Sequence, residues 1–313
     1  MYDKLKLSLS TDCTDIARYL DEAKEQVDTS TGEITTKGHI KGLSVSVYPV
    51  GCYLVGSLSK YLYGENFYPL DRHTTADAIE SLSDDLHTDV SKADIVGLEF
   101  GTQFPMKHKP MAYIDKLGDL TRRTRLLAAD GTLYYQGKGK TYRSKQKQVL
   151  CFYDKAAEVK NRGGTLPLDF EGLNMLKYEL RMNGSIARRM KMQAVTAATL
   201  SEREFYLRLA KMWGDEYFKI AKKGSMKQAA ALKAKSVGEA KDIFFARLLL
   251  NTPQQVIDEY LNELRQNEVF EDRKYYTRLR QAIMGLSSKV GISESDELIR
   301  ELDDTIRTYV SNA

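Results

Sequence analysis

The chain is poor in cysteine: three in 313 residues, Cys13, Cys52 and Cys151, odd in number and never spaced as CxxC. That excludes a disulfide framework and a cysteine zinc site, and it fits reduced, intracellular thiols. Histidine is as scarce, with His39, His73, His87 and His108 standing apart. No apolar run approaches 18 residues and the N-terminus has no apolar core of the signal-peptide kind. The expectation is a soluble cytoplasmic chain without a membrane span. Internal repeats and low-complexity tracts are absent, and Gly137-Lys-Gly-Lys-Thr141 lacks the GxxxxGK[ST] spacing of a nucleotide-binding loop. A strong overall charge is missing too, since 47 Lys and Arg face 43 Asp and Glu for a formal +4.

What the chain does have is a local imbalance. Between Arg122 and Lys147 there are eight basic residues (Arg122, Arg123, Arg125, Lys138, Lys140, Arg143, Lys145, Lys147) and one acid, Asp130. Such a run reads either as solvated surface or as a phosphate-binding face. It leads into Gln148-Val-Leu-Cys-Phe-Tyr-Asp-Lys-Ala-Ala-Glu158, where Val149–Tyr153 is a short buried strand by composition. Tyr153, Asp154, Lys155 and Glu158 crowd the strand's end. A tyrosine beside a lysine and carboxylates, reached along a basic ramp, points to chemistry on a phosphodiester.

Other strands carry acids on their non-core faces. In Asp94–Phe104, Leu98, Phe100 and Phe104 face one way, while Gly97, Glu99, Gly101 and Gln103 face the other. In Asn174–Met182, Leu176, Tyr178, Leu180 and Met182 oppose Lys177, Glu179 and Arg181. Glu99, Glu179 and Asp154 offer oxygen ligands that suit Mg²⁺ or Mn²⁺. Tyr153 is then a candidate nucleophile and Lys155 a group that steadies developing charge. The alternative for Tyr153 is a core aromatic, because an unbroken strand places Tyr153 and Asp154 on opposite faces. Lys60 and the Gly64-Glu-Asn66 turn set donors beside tyrosines, which suits a nucleic-acid surface or simple packing.

Further expectations follow from periodicity. Tyr2–Ser10 reads as a first strand, Thr14–Val27 as a helix carrying Ile16, Leu20 and Ala23, and Glu33–Val55 as two or three antiparallel strands. Thr74–Leu86 reads as a helix capped by Thr74 or Thr75, Pro110–Leu117 as a short helix, and Arg122–Gln136 as a hairpin turning at Asp130-Gly131. From Ser201 onward helical patterns dominate: Ser201–Lys223, Met226–Leu249, Pro253–Asn267, Arg273–Leu286 and Asp296–Tyr309, with a connection at Gly291–Ser295. Ser201-Glu-Arg-Glu204 approximates a capping box. The expected class is α+β, a mainly antiparallel sheet flanked by helices with a C-terminal helical module, divided as 1–195 and 196–313.

Four ordered segments carry a resemblance: the strand bearing Glu99, then Tyr153-Asp-Lys-x-x-Glu158, then Lys177-Tyr-Glu-Leu-Arg181, with Gly56–Asn66 before them. Together they resemble the replication initiators of filamentous phages, the gene II/gene X protein family. They are similar, more distantly, to the Rep initiators of rolling-circle plasmids. The resemblance spans roughly residues 1 to 190. It implies a nickase-type, HUH-like fold without the His pair, cutting of origin DNA by Tyr153 in a bacterial host cell, and a 5′-phosphotyrosyl intermediate. Lys155 and Glu158 fall at matching positions, with Glu99 and Glu179 as the acidic pair. The implied partners are origin DNA and a host helicase and polymerase. Lys60, Arg122, Arg123, Lys138, Lys140, Arg143, Lys145, Lys147 and Arg181 are the DNA-contacting candidates. Two alternatives stay open: a non-catalytic origin-binding protein that recruits replication factors, and a metal-independent phosphotyrosyl recombinase. The second would want an Arg/His set around its tyrosine.

Overall fold

A computed structural model describes residues 1–222, 234–252, 254–289 and 297–313. Its centre is one ten-stranded sheet in the order β2-β3-β4-β5-β1-β6-β10-β9-β8-β7, antiparallel at every pairing. The strands are β1 Tyr2–Leu9, β2 Asp21–Val27, β3 Ile34–Ile40, β4 Leu43–Tyr48, β5 Gly51–Ser57, β6 Asp94–Met106, β7 Arg123–Leu127, β8 Leu133–Gly137, β9 Gln148–Asp154 and β10 Asn174–Asn183. The helices are α1 Leu58–Tyr63, α2 Arg72–Leu86, α3 Pro110–Ile114, α4 Tyr142–Lys145, α5 Lys155–Asn161, α6 Ile186–Met190, α7 Arg203–Phe218, α8 Val237–Asn251, α9 Gln254–Gln266, α10 Arg273–Lys289 and α11 Glu297–Ser311. The fold is therefore α+β, with a large antiparallel sheet, flanking helices and further helices at the C-terminal end.

The sheet separates two chemistries by strand parity. Leu176, Tyr178, Leu180 and Met182 of β10 enter the apolar core with Leu150 and Phe152 of β9 and Leu98, Phe100 and Phe104 of β6. Tyr178 stacks on Phe152 with centroids 4.3 Å apart and on Trp213 of α7 at 4.8 Å. Its hydroxyl donates to the Trp213 carbonyl, and the Trp213 indole donates back to the Tyr178 carbonyl. Both polar ends of this aromatic stack are thus satisfied inside the core. α11 covers α7: Tyr217 donates to Asp303 at 2.7 Å, and Leu302 and Ile306 join the same apolar cluster. Arg280 of α10 reaches Asp119 at 2.8 Å, tying the later helices to the loop before β7.

Three local readings are corrected. Residues 14–27 are not one helix: Thr14–Tyr19 forms a short 3₁₀ turn and Asp21–Val27 forms β2, paired to β3 through Val27↔Ile34 and Glu25↔Thr36. Ile16 is buried but Ala23 and all the rest of β2 are exposed, so the apolar spacing had no surface to cover. Pairing with β3 satisfies the backbone instead, and Gly38 allows Leu20 and Asp21 to cross close to it. The cap of α2 is Asp71, which accepts from the His73 and Thr74 amides while Thr74 closes the box. Ser201 does not cap α7; Glu202 precedes that helix without a side-chain cap bond. The expected helical stretch from Met226 to residue 233, the end of the preceding helix at Lys223, Pro253, and the connection at Gly291–Ser295 lie outside the described residues.

Candidate active site

Opposite the core, the polar face of the central strands converges on Glu179. β10 pairs with β6 so that Glu179 lies opposite Gly101 and Arg181 opposite Glu99; it pairs with β9 so that Lys177 lies opposite Tyr153. Tyr153 donates to Glu179 Oε1 at 2.8 Å, and Lys177 Nζ stands 3.2 Å from the same oxygen. Arg181 donates to Glu179 Oε2 through Nε and a terminal nitrogen, at 2.8 and 2.6 Å. Its Nε also stands 3.8 Å from Glu99 Oε2, so one guanidinium bridges both carboxylates. Asp3 completes the cluster, accepting from Lys177 at 2.5 Å.

The electrostatics follow from burial. Desolvation alone would raise Glu179, but Lys177, Arg181 and the Tyr153 hydroxyl overcome it and hold the carboxyl below its ordinary range. Glu99 goes the other way: burial first, then the Glu179 charge, push it up to about 7 despite Arg181. Burial and the neighbouring Glu179 raise the Tyr153 phenol well above its usual value. Burial and the Lys177 charge lower Lys155.

Lys155, 1% exposed, donates to Asn66 at 3.1 Å and Glu158 at 2.9 Å, and lies over the Phe67 ring. The Gly64–Asn66 turn is thereby brought to the end of β9. Asp154 is not brought to Glu99 and Glu179: its carboxylate caps α5 by accepting from the Ala157 amide. Arg122, Lys138, Lys140, Arg143, Lys145 and Lys147 are exposed around β7, β8 and α4, and Lys60 is exposed on α1. Arg123 is turned instead toward Glu216, at 3.5 Å, and the Gln148 carbonyl. The glycines beside Glu99 do permit close approach: a Cβ at Gly101 would strike the Tyr178 carbonyl, and the Lys6 stem lies across Gly97.

Neither the role of Asp3 nor the depth of Lys177 is visible in the sequence pattern. Alternation places Asp3 on the same side as Leu5 and Leu7, but a register shift between Tyr2 and Leu5 turns it to the polar face. Only an acid at the start of a strand hinted at it.

The donors can be tested for a divalent cation. Both Glu179 oxygens are engaged, by Tyr153 and Lys177 on one side and Arg181 on the other. Glu99 has the spare lone pairs, with a single long contact to Arg181. Glu99 is therefore the carboxylate open to Mg²⁺ or Mn²⁺, which bind through one or two carboxylates together with water and substrate phosphate, and Glu179 could join only by giving up an Arg181 bond. Among the described residues there is no cluster of three or more His, Cys, Asp or Glu able to hold a metal, so the histidines and Asp154 add nothing to the pair.

The family of phage replication-associated proteins of the gene II type, described by its N-terminal part, matches residues 1–205. That span holds the whole sheet and every residue of this cluster. The chain belongs to that family. No curated protein matches it. Membership makes the chain a phage-type replication initiator of the filamentous-phage gene II kind. No helix among the described residues is long and apolar enough to cross a membrane.

Proposed function

We propose that the chain nicks and rejoins DNA at a replication origin, with Tyr153 as nucleophile. The observation that carries this reading is the 2.8 Å bond from the Tyr153 hydroxyl to Glu179, beside Lys177 and Arg181, in a family of replication initiators. The phenolic oxygen attacks phosphorus as its proton passes along the hydrogen bond to Glu179 and on to water. A Tyr–O–P bond forms, the P–O3′ bond breaks, and the 3′ oxygen takes up a proton from water and leaves as a hydroxyl. The 5′-phosphotyrosine is then open to attack by a 3′-hydroxyl, which restores Tyr153 and rejoins the strand. Lys177 and Arg181 keep Glu179 ionised, so that it accepts from the Tyr153 hydroxyl and passes the proton on rather than keeping it. Arg181 also stands where a phosphate approaching Glu99 would meet a positive charge. Glu99, joined by Glu179 where Arg181 gives way, would hold a divalent cation, which would supply charge neutralisation at the phosphate and ease ionisation of the phenol.

The test is incubation of the full chain with supercoiled origin DNA and Mg²⁺ or Mn²⁺, followed by denaturing electrophoresis and peptide mapping. A covalent adduct on Tyr153 is expected; an adduct on Tyr134, Tyr135 or Tyr142 overturns the assignment. A second reading is favoured by one observation: Tyr153 is only 9% exposed. On that reading the chain binds the origin and recruits a host helicase or polymerase without cutting. It predicts origin protection with no adduct under any metal.

A further inference from the structure

A groove of about 1030 Å³ runs along the polar face from Glu99 and Arg181 outward. Its floor is β1, whose Lys4 and Lys6 alternate out of the core, and its far wall is α4 with the following turn. Tyr53 of β5 stands on one rim, 45% exposed, and Tyr142 of α4 on the other, 79% exposed. The lining cations Lys4, Lys6, Arg143, Lys147 and Arg181 outnumber the acids Asp94 and Glu99.

The groove is built, not incidental. Lys6 lies across Gly97, where a side chain would collide with its stem, and donates to Asn183 at 2.7 Å. Asn183 in turn donates to the Gln146 carbonyl at 2.9 Å, and its amide to the Lys147 carbonyl at 3.0 Å. The wall carrying Tyr142 and Arg143 is therefore pinned to β10 and, through Lys6, to the floor. α4 itself is a single turn closed by a Thr141–Ser144 capping box, which leaves its first residue, Tyr142, facing outward.

We infer that this groove binds unpaired DNA, with bases stacking on Tyr142 and Tyr53 and phosphates held by Lys4, Lys6 and Arg143. The inference deepens the proposed function, on which it rests for the identity of the nucleic acid. Exposed aromatic faces above a basic floor recognise bases whose own faces are free, a condition duplex DNA does not meet. Arg181 and Glu99 line the groove, and the Arg181 guanidinium holds the carboxylate that Tyr153 contacts, so a strand lying in it brings a phosphate beside the cluster.

The test uses the full chain carrying Tyr153→Phe, a labelled oligo-dT and a duplex of equal length, with binding followed by fluorescence anisotropy across salt concentrations. Tyr142→Ala should weaken oligo-dT binding about tenfold while leaving the salt slope unchanged, and Tyr142→Phe should restore it. Lys4→Gln combined with Arg143→Gln should reduce the slope by about 0.7 per charge removed. The inference is overturned if Tyr142→Ala and Tyr53→Ala both bind oligo-dT like the parent, or if Tyr142→Phe loses as much as Tyr142→Ala. Stacking-dependent binding with no adduct from the unmutated chain would keep the groove and remove the nicking. An adduct with tyrosine-independent binding would do the reverse.

Discussion

Tyr153 and Glu179 meet across the seam between β9 and β10, hydroxyl to carboxylate at 2.8 Å, inside a ring of charged side chains. Phenylalanine at 153 keeps the ring and removes the oxygen. The variant should lose the covalent DNA adduct completely while keeping DNA affinity. Loss of a bond to an ionised acceptor should cost about 1.5–3 kcal/mol of stability, read from urea unfolding. Retention of the adduct would place the nucleophile on another tyrosine.

The two carboxylates should respond oppositely to neutralisation. Glu179 serves Lys177, Arg181 and Tyr153 at once, so Glu179→Gln leaves both cations short of a counter-charge and should destabilise by about 3 kcal/mol. Glu99 has one long cationic contact and a like-charged neighbour, so Glu99→Gln should stabilise the chelator-treated protein at pH 8 by on the order of 1 kcal/mol. Urea titrations of both variants in EDTA decide it. Equal destabilisation by the two would mean that Glu99 is structurally paired after all.

A pH dependence follows. The folded chain holds the Glu99 proton up to about 7, against 4.5 as its ordinary value. Between those values the folded state binds more protons than the unfolded one. The group therefore contributes stability at acid pH that is lost as pH rises through about 7. Glu179, held low by Lys177 and Arg181, contributes stability at neutral pH that disappears only in strong acid, as pH falls through its depressed value. In EDTA, unmutated protein should lose stability from pH 5 to pH 8 relative to Glu99→Gln. A constant difference between them across that range would remove Glu99 as the titrating group.

The sheet was legible because its central strands alternate cleanly. In β10, Tyr178 and Glu179 could be sent to opposite faces from parity alone, and Glu99 and Glu179 do lie on the polar face, each within reach of Arg181. What escaped needed register or long-range pairing. Asp3 reaches Lys177 through a shift in β1 that no alternation shows. Bridging by Arg181 depends on the pairing of β10 with β6, two strands far apart in sequence. The helical spacing of Ile16, Leu20 and Ala23 is overridden by tertiary pairing, because Asp21–Val27 forms the sheet's edge strand and leaves Ala23 exposed. Asp154 looked like a ligand because it sits beside Tyr153, yet ending the strand there makes it a helix cap.

The basic stretch gives a separate, electrostatic prediction. Lys138, Lys140 and Lys145 are exposed on the loop and α4. Replacing all three with Gln should lower affinity for duplex origin DNA and flatten the log–log salt dependence by about 0.9 per lost contact. Preference for origin over other duplex should survive better than affinity, because phosphate contacts position without reading sequence. An unchanged slope in anisotropy titrations would make these lysines solvated surface.

Gly101 links the backbone to the chemistry. It lies opposite Glu179 in the β6–β10 pairing and donates its amide to the Met1 carbonyl. A Cβ there would lie 2.8 Å from the Glu179 Cα and still closer to the Tyr178 carbonyl, atoms of main chain that cannot swing aside. Alanine must therefore spread the two strands at the point that sets Glu179 against Tyr153. Gly101→Ala should cost about 1–3 kcal/mol, as overpacking of a tight interior does. Gly97→Ala meets the Lys6 stem first, whose outer carbons can swing aside, and should cost less. If nicking follows this geometry, Gly101→Ala should lose adduct formation out of proportion to its stability loss when assayed well below its melting temperature. Equal stability and full adduct yield would show that β6 and β10 are not held as closely as this contact requires.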